Sequence, residues 1–360
     1  MSELQISLLI IGVFVVLAVY GYNGWQQRQY RRRFGAAFRQ PGEDALYHPS
    51  TEKSLGKILD ETVVGQALPA EPAQASVMVE RRRWPRGCGL LDAATDYIAV
   101  LLFNSPANAQ ALAPLWQQRF DFRKNVYVCG LNTASGAWEK VIAESQLSYS
   151  AFKLALQLAD RSGAVSETRL ADFRDLARDI AAQQQAEAEL PDVAAASARA
   201  LELDAFCAEV DQMIGINILP SGERMFSGSE IASVAAQHGM SLQADGAFHL
   251  LNARGYTVFS LSNYDNVPFQ HHSLNQMRVN GLTLLLDVPR VEQPTQRFDE
   301  MAVLARQLAM ELRAAMVDDH RVAMGESGIA QIREQVAAIE SRMLSGKILA
   351  GSVQARRLFA

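Results

Sequence analysis

The chain has 360 residues, of which 49% are hydrophobic, so it can bury two cores of ordinary size. Its formal net charge of -5 is close to balance for this length. That charge excludes the broad electrostatic attraction on which nucleic-acid binding depends, so no nucleic-acid partner is expected. The cysteines Cys88, Cys129 and Cys207 show no CxxC spacing, which excludes a zinc ribbon and favours unpaired thiols in a reducing compartment.

Residues 6–25 (ISLLIIGVFVVLAVYGYNGW) carry no charge and predict a transmembrane helix. About 20 residues at roughly 1.5 Å each span the hydrocarbon core of a bilayer. Four arginines follow within residues 28–33, whereas Glu3 is the only charged side chain before the segment, so residues 1–5 are expected outside and the rest inside. A cleaved signal peptide is the alternative, but it needs basic residues ahead of the apolar run, so a retained anchor is favoured.

Residues 26–94 read as a juxtamembrane basic segment and linker, with scattered prolines and mixed charge. A second basic patch at residues 81–83 precedes Trp84. It would either touch anionic lipid headgroups or form an ordinary solvated charge cluster, and its low charge density favours the second interpretation.

Regular patterning starts near residue 95 and predicts an α+β domain over residues 95–185. Apolar runs predict strands, and longer mixed runs predict helices. The expected strands are 97–103, 126–131 and 137–142, and the expected helices are 107–119, 149–161 and 166–184. An Ala/Glu-rich helical spacer is expected over residues 186–208.

A second α+β domain is predicted over residues 209–346, followed by a tail at 347–360. Its helix at 227–239 begins at a cap formed by Ser227 or Ser229 and ends at Gly239. The expected strands are 213–219, 240–242, 247–251, 256–262 and 281–288, and the later helices are 297–317 and 327–344. Residues 156–182 parallel residues 308–338, which predicts two tandem copies; a chance likeness of two α+β domains is the alternative.

Three stretches of the second domain resemble the C-terminal domain of the ZipA family. Residues 259–263 (FSLSN) are similar to its FSLAN strand, residues 282–289 (LTLLLDVP) to its apolar strand ending in Val-Pro, and residues 318–321 (DDHR) to its Asp-Asp-Gln-Arg turn. The anchor and its arginine cluster fit the same family. The linker is shorter than the family's Pro/Gln-rich tether, and the cleft residues are not identical.

The resemblance implies an α+β fold, an antiparallel sheet with helices on one face, preceded by one transmembrane helix. It implies a cell-division protein of the bacterial inner membrane, single-pass, with residues 1–5 periplasmic and a cytoplasmic body at the division site. The implied partners are the FtsZ C-terminal peptide, the lipid bilayer through residues 6–25, and other division proteins. A membrane-anchored adaptor for another division protein is the alternative.

Strand alternation predicts which side chains would form the implied peptide groove. Leu282, Leu284 and Leu286 point toward the helices, so Leu285 falls on the opposite face, where an apolar side chain suits a ligand. The alternative for each such residue is ordinary core. The expected groove residues are Met213, Gly215, Met240, Leu242, Ser260, Ser262, Tyr264, Thr283 and Leu285.

No catalytic, cofactor or metal site is expected. His249, His271 and His272 lie near Asp265 in sequence, but without HExxH or similar spacing. No P-loop or GxSxG motif is present, and these absences disfavour the remaining alternative, a membrane-bound hydrolase.

Overall fold

The computed structural model describes residues 87–360. The predicted anchor (6–25), the basic patch at 81–83 and most of the 26–94 linker lie outside the described residues. Within residues 87–360, none of the helices combines the length and the apolar character that crossing a bilayer requires.

The first part of the described chain builds one sheet with helices against it. Its strands are β1 (Asp96–Ala107), β2 (Val126–Asn132), β3 (Trp138–Lys140), β4 (Tyr149–Gln157), β5 (Ala159–Asp160), β6 (Gly163–Ala164) and β7 (Glu187–Glu189). Its helices are α1 (Ala113–Gln118), after a 3-10 turn at Ala109–Leu112, then α2 (Glu167–Gln183) and α3 (Val193–Val210). The sheet order is β3-β2-β4-β1-β7, all antiparallel, and β5 pairs with β6 in a separate hairpin.

Helix α2 covers one face of this first sheet. Ser166 caps the helix by accepting a hydrogen bond from the Arg169 amide, as the sequence favours. Tyr97 of β1 is fully buried and meets Phe173 of α2 edge to face, with ring centroids 6.0 Å apart. The alternate residues of β1 therefore point to the opposite face.

Residues 149–161, predicted as a helix, form strands β4 and β5 instead. Strand β4 is the middle strand between β1 and β2, and Leu154, Ala155 and Leu156 are all fully buried. A strand covered on both faces is apolar throughout, so its sequence lacks the alternation that would distinguish it from a helix. The predicted parallel between residues 156–159 and 308–311 is wrong for the same reason, since it pairs a strand with a helix.

The predicted helical spacer at 186–208 belongs to the first part of the described chain. We call that part, with its sheet and its helices α1 to α3, the first unit, and the part from β8 onward the second unit. Residues Glu187–Glu189 form the edge strand β7, and α3 packs against α2 and buries Ala196, Ala200 and Leu203. The predicted helical character of the spacer is correct only from Val193 onward.

The second part builds a larger sheet. Its strands are β8 (Met213–Pro220), β9 (Phe226–Ser227), β10 (Ser241–Leu242), β11 (Phe248–Leu251), β12 (Thr257–Asn263), β13 (Arg278–Val279), β14 (Leu282–Asp287) and β15 (Ala314–Val317). Its helices are α4 (Gly228–Gln237), α5 (Pro294–Glu311), α6 (Glu326–Ser345) and α7 (Val353–Leu358), with 3-10 turns at Leu274–Gln276 and Val288–Arg290. The sheet order is β10-β11-β12-β14-β8-β15, and β9 pairs with β13.

Helix α5 packs across β8, β12 and β14, so it fixes the covered face of the second sheet. Leu282, Leu284 and Leu286 are fully buried on this face, as their alternation predicts. The helix predicted over 297–317 ends at Glu311, because Arg313 takes a left-handed backbone conformation with φ 49°. Residues Ala314–Val317 then form the edge strand β15 beside β8.

Residues 347–360, predicted as a tail, hold the two sheets together. The Gly351 amide donates to the Pro289 carbonyl of the second unit at 2.9 Å. Arg357 donates to the Leu90 carbonyl at 2.6 Å and forms a buried ion pair with Asp96, both in the first unit. We call residues 351–359 the C-terminal clasp.

Cys88 and Cys129 form a disulfide, so the expectation of three unpaired thiols is wrong. The two cysteines are 41 residues apart in sequence and meet because the chain before β1 folds over the first sheet. Cys207 is a buried free thiol, and burial raises its pKa to about 12.

Candidate functional site

Three neighbouring strands of the second sheet bring most of the predicted groove residues together. Leu285 of β14 lies opposite Ser260 of β12 on one side and Gly215 of β8 on the other. In the next row, Thr283 lies opposite Ser262 and Asn217. These side chains point away from α5, since their strand neighbours are the buried residues that contact it.

This surface, which we call the open face, is shallow and half-buried. Gly215, Ser260, Ser262, Thr283 and Leu285 all have intermediate exposure. Leu285 is therefore an apolar side chain with small residues on both sides. Small neighbours let the backbone of a ligand approach the sheet closely.

Gly215 forms the floor of the open face beside Leu285. A Cβ atom added there would lie 3.7 Å from Thr283 Cγ2 and 3.9 Å from Leu285 Cδ1, which is ordinary van der Waals contact. The backbone there does not require glycine, because its φ is not in the positive region. The space above Gly215 is therefore free for a ligand atom.

Met213 and Tyr264 mark the two ends of the open face. Met213 is half-buried and lies opposite Asp287. Tyr264 follows β12, and the Arg321 guanidinium lies 5.8 Å from the centre of its ring. The polar turn that contains Arg321 thus borders the open face at the Tyr264 end.

Met240 and Leu242, predicted as groove residues, belong to the covered side. Met240 is only 4% exposed, and Leu242 pairs with Phe248, which pairs in turn with the buried Leu261. The sequence predicts a strand that starts at residue 240 and places Met240 and Leu242 on the open face. Strand β10 begins only at Ser241, and this prediction is wrong for both residues. Ser241 takes the outward position in this strand.

Two residues that sequence reasoning missed as groove residues, His249 and Leu251, share the open face. His249 lies opposite Ser260, and its ring nitrogens lie 2.8 Å from Thr257 Oγ1 and 2.9 Å from Asp245 Oδ2. Leu251, two residues farther along β11, is exposed and pairs with Thr257. Alternation along β11 is the signal that could have found both residues, because His249 and Leu251 share one parity.

The polar groups at this surface are satisfied by one another. Thr283 Oγ1 donates to Asn217 Oδ1 at 2.8 Å, and Asn217 Nδ2 donates to Asp319 Oδ1 at 3.0 Å. Asp287, at the Met213 end, accepts from Arg161 of the first unit. The centre of the open face is therefore neutral and suited to apolar and backbone contacts.

Among residues 87–360, no group of three or more His, Cys, Asp or Glu side chains is placed to hold an ion. His271 and His272, considered as candidate ligands from the sequence, are exposed in a loop.

Comparison with known proteins identifies relatives of the second unit. The family model described as ZipA, C-terminal FtsZ-binding domain, matches residues 212–335. A protein named cell division protein ZipA from Ectopseudomonas mendocina (strain ymp) is 26% identical over 153 residues, covering 41% of this chain and 56% of that protein. The ZipA of Pseudomonas putida (strain W619) is 26% identical over 158 residues, covering 43% of this chain and 52% of its own length.

The chain thus spans about half the length of the curated relatives it matches. The matched residues 212–335 contain β8 to β15, and with them the strands of the open face. The resemblance of the second unit to the ZipA C-terminal domain, which residues 259–263 and 282–289 predict, is confirmed by this match.

Proposed function

We propose that the second unit binds the C-terminal peptide of FtsZ on the open face, and that the chain thereby tethers FtsZ polymers to the membrane. The observation that carries this proposal is the row Gly215, Leu285 and Ser260, an apolar side chain framed by small residues in direct register. The match of residues 212–335 to the model described as ZipA, C-terminal FtsZ-binding domain, supports the FtsZ peptide as the partner.

The open face favours an extended or helical peptide that contributes apolar side chains. Leu285 supplies apolar surface, and the absence of a side chain at Gly215 leaves room beside it. Such a shallow surface binds a single peptide weakly. Many anchored copies facing one polymer bind it strongly, because the first contact raises the effective concentration for the next.

The tether requires a membrane attachment, for which we propose the transmembrane helix at residues 6–25. Residues 1–5 would then be periplasmic, and residues 26–360 would lie on the cytoplasmic side of the bacterial inner membrane at the division site. The lipid bilayer is the second partner, and the role is binding without a chemical step.

We also propose that the two units are tandem copies of one α+β design. In each unit the first strand (β1, β8) lies beside a later long strand (β4, β14), and a helix follows (α2, α5). A short strand (β7, β15) then adds to the other edge of the first strand, and a further helix (α3, α6) ends the unit. The copies differ in the outer hairpin, where the inner strand comes first in one unit (β2, then β3) and second in the other (β11, then β12).

Binding of a labelled FtsZ C-terminal peptide to the full chain in lipid nanodiscs tests the function. Fluorescence anisotropy should show saturable binding, and Leu285→Asp should weaken it at least tenfold, because it puts a charge at the centre of the apolar row. Met310→Asp is the matched control, since Met310 is 71% exposed on α5, on the other side of the sheet.

The outcomes separate the parts of the proposal. A wild-type chain that does not bind the peptide would reject FtsZ as the partner. Binding that Leu285→Asp and Met310→Asp affect equally would reject the open face as the site.

A further inference from the structure

The first sheet also has a face away from its helices, and a segment of the chain crosses it. Val100 of β1, Lys153 of β4 and Cys129 of β2 lie in one register row on this face, opposite the parity of Tyr97 and Leu101. Residues 87–91, which we call the strap, are bonded to this row through Cys88 and Cys129. Cys129 is fully buried beneath the strap.

Two independent connections hold the strap. The disulfide fixes it at Cys88, and the Arg357 guanidinium of the C-terminal clasp donates to the Leu90 carbonyl. The Leu91 amide donates to the Cys88 carbonyl at 3.0 Å and closes a turn between these two points. The strap is thus a turn held over the sheet at two points, and it does not pair with the sheet as a further strand.

The surroundings of Cys129 suit thiol chemistry. Its Cα partners on the two neighbouring strands are both lysines, Lys140 on β3 and Lys153 on β4. Side chains directly opposite on one face of a sheet are close neighbours. A nearby ammonium group stabilises a thiolate, which is the nucleophile in disulfide exchange. Burial lowers the pKa of Lys153, whose Nζ lies 4.4 Å from the centre of the Trp138 ring. Cys207 on α3, by contrast, has a raised pKa, chiefly because burial disfavours its thiolate and in addition because carboxylates lie near it.

We propose that Cys88 and Cys129 are a reversible redox pair that opens and closes the strap over the first sheet. In the topology proposed above the body lies in the cytoplasm, where thiols are kept reduced and a disulfide forms under oxidising conditions. The occupant of the face in the closed form is the strap itself. Reduction breaks the covalent connection between the strap and the row and leaves the hydrogen bond from Arg357 to the Leu90 carbonyl, so that the Cys88 end of the strap can move away and expose Cys129.

The chemistry is a balanced thiol–disulfide exchange with a small-molecule disulfide. The Cys129 thiolate attacks one sulfur of that disulfide, breaks its S–S bond and releases one thiolate. The Cys88 thiolate then attacks Cys129 in the mixed disulfide, forming the protein bond and releasing the second thiolate. Two protein thiols lose two electrons and two protons, and one small disulfide becomes two thiols.

Mass spectrometry of the full chain in nanodiscs tests the pair. The chain is equilibrated at a series of ratios of reduced to oxidised glutathione, quenched with acid and alkylated. The Cys88–Cys129 linked peptide should rise and fall with the ratio, while Cys207 stays a free thiol throughout. Alkylation of both Cys88 and Cys129 at every ratio would overturn the proposal, and so would a bond that resists dithiothreitol in the folded chain.

A maleimide rate measurement tests the strap. In Cys88→Ser, Cys129 should react at least tenfold faster than Cys207 in the same molecule, because the hydrogen bond between Arg357 and the Leu90 carbonyl is then the only one of the two connections left. The reduced wild-type chain gives the same comparison without a substitution, and Cys207→Ser is the control that should keep the disulfide and the strap. If Cys129 is as unreactive as Cys207 in both Cys88→Ser and the reduced chain, the proposal that the disulfide controls access to Cys129 through the strap is wrong.

Discussion

Arg161 of the first unit reaches Asp287 of the second and donates to both of its carboxylate oxygens, at 2.9 and 3.0 Å. The same guanidinium donates to Asp211, at the junction between α3 and β8, at 2.7 Å. Burial raises the pKa of Asp287, and the ion pair with Arg161 opposes that rise. One cation thus keeps two carboxylates together at the end of the strand that carries Leu285.

Arg161→Ala should destabilise the fold strongly, since it leaves Asp211 and Asp287 side by side without their cation. We expect a loss of about 3–5 kcal/mol in the free energy of unfolding, as for other partly buried pairs that lose one member. Urea titration of the full chain at neutral pH measures it. Arg333→Ala, which removes an exposed pair with Asp299, should change little. Equal effects from the two variants would contradict the bridging role of Arg161.

Asp160→Asn should alter the acid stability. Burial alone would raise the pKa of Asp160, but hydrogen bonds from Lys124 and Ser162 outweigh it and hold the pKa below its usual value. The ionised carboxylate therefore stabilises the fold at neutral pH, and this contribution is lost as the pH falls through the folded-state pKa.

At pH 7 we expect Asp160→Asn to cost about 3 kcal/mol, because Lys124, with a 3% exposed side chain, loses its counter-charge. The difference from wild type should shrink below about pH 4, where the carboxylate of the unfolded wild-type chain takes up a proton, and it should be lost as the pH falls through the lower folded-state pKa. Urea titrations at several pH values test this. A difference in unfolding free energy that grows as the pH falls would show that the pKa of Asp160 is raised in the folded state and not lowered.

Gly351→Ala should loosen the C-terminal clasp. A Cβ there would clash with the Glu292 amide nitrogen, and the backbone φ of 71° adds strain of roughly 1–2 kcal/mol. Gly255→Ala is the matched control, with a φ of 78° and open space around it. We expect Gly351→Ala to be the less stable of the two by about 1–3 kcal/mol in thermal or urea unfolding. Equal losses would mean that the clasp adapts freely.

Gly215→Ala should separate binding from stability. The added methyl group fits without a clash, so the unfolding free energy should stay near that of wild type. The methyl fills the floor beside Leu285, and the affinity for the FtsZ peptide should fall about tenfold, which corresponds to roughly 1.4 kcal/mol. Gly328→Ala on α6 is the matched control for a glycine outside the open face. Unchanged affinity in Gly215→Ala would place the ligand elsewhere.

The sequence predicts the second unit well where one face of a strand is covered and the other is not. Leu282, Leu284 and Leu286 alternate with polar or half-buried neighbours, so their parity could be assigned correctly. The predicted position of Leu242 on the open face is wrong because β10 has only two residues, too few to show by alternation which side chains face the helices. The prediction of a helix at residues 149–161 is wrong for a different reason. Strand β4 is buried on both faces, and its sequence therefore lacks the alternation of apolar and polar residues that identifies a strand.

The connections between the units could not be predicted from local patterns. Arg357 and Asp96 are separated by 261 residues, and Arg161 and Asp287 by 126. Charged residues occur throughout the sequence, and nothing in their spacing identifies those that become buried partners. The disulfide could not be predicted for the same reason, because it depends on how residues 87–91 fold back on β2.

The C-terminal clasp also sets the order in which the chain can finish folding. Gln157 of β4 donates to the Arg357 carbonyl, and Phe359 is fully buried near Arg161. During synthesis these partners of the first sheet leave the ribosome after the whole second sheet. The first sheet must therefore await its last neighbours while the second folds, although domains generally fold from the N-terminal side first. A ribosome paused before Arg357 would hold a chain with all strands of both sheets, in which the first sheet still lacks its contacts with Arg357 and Phe359.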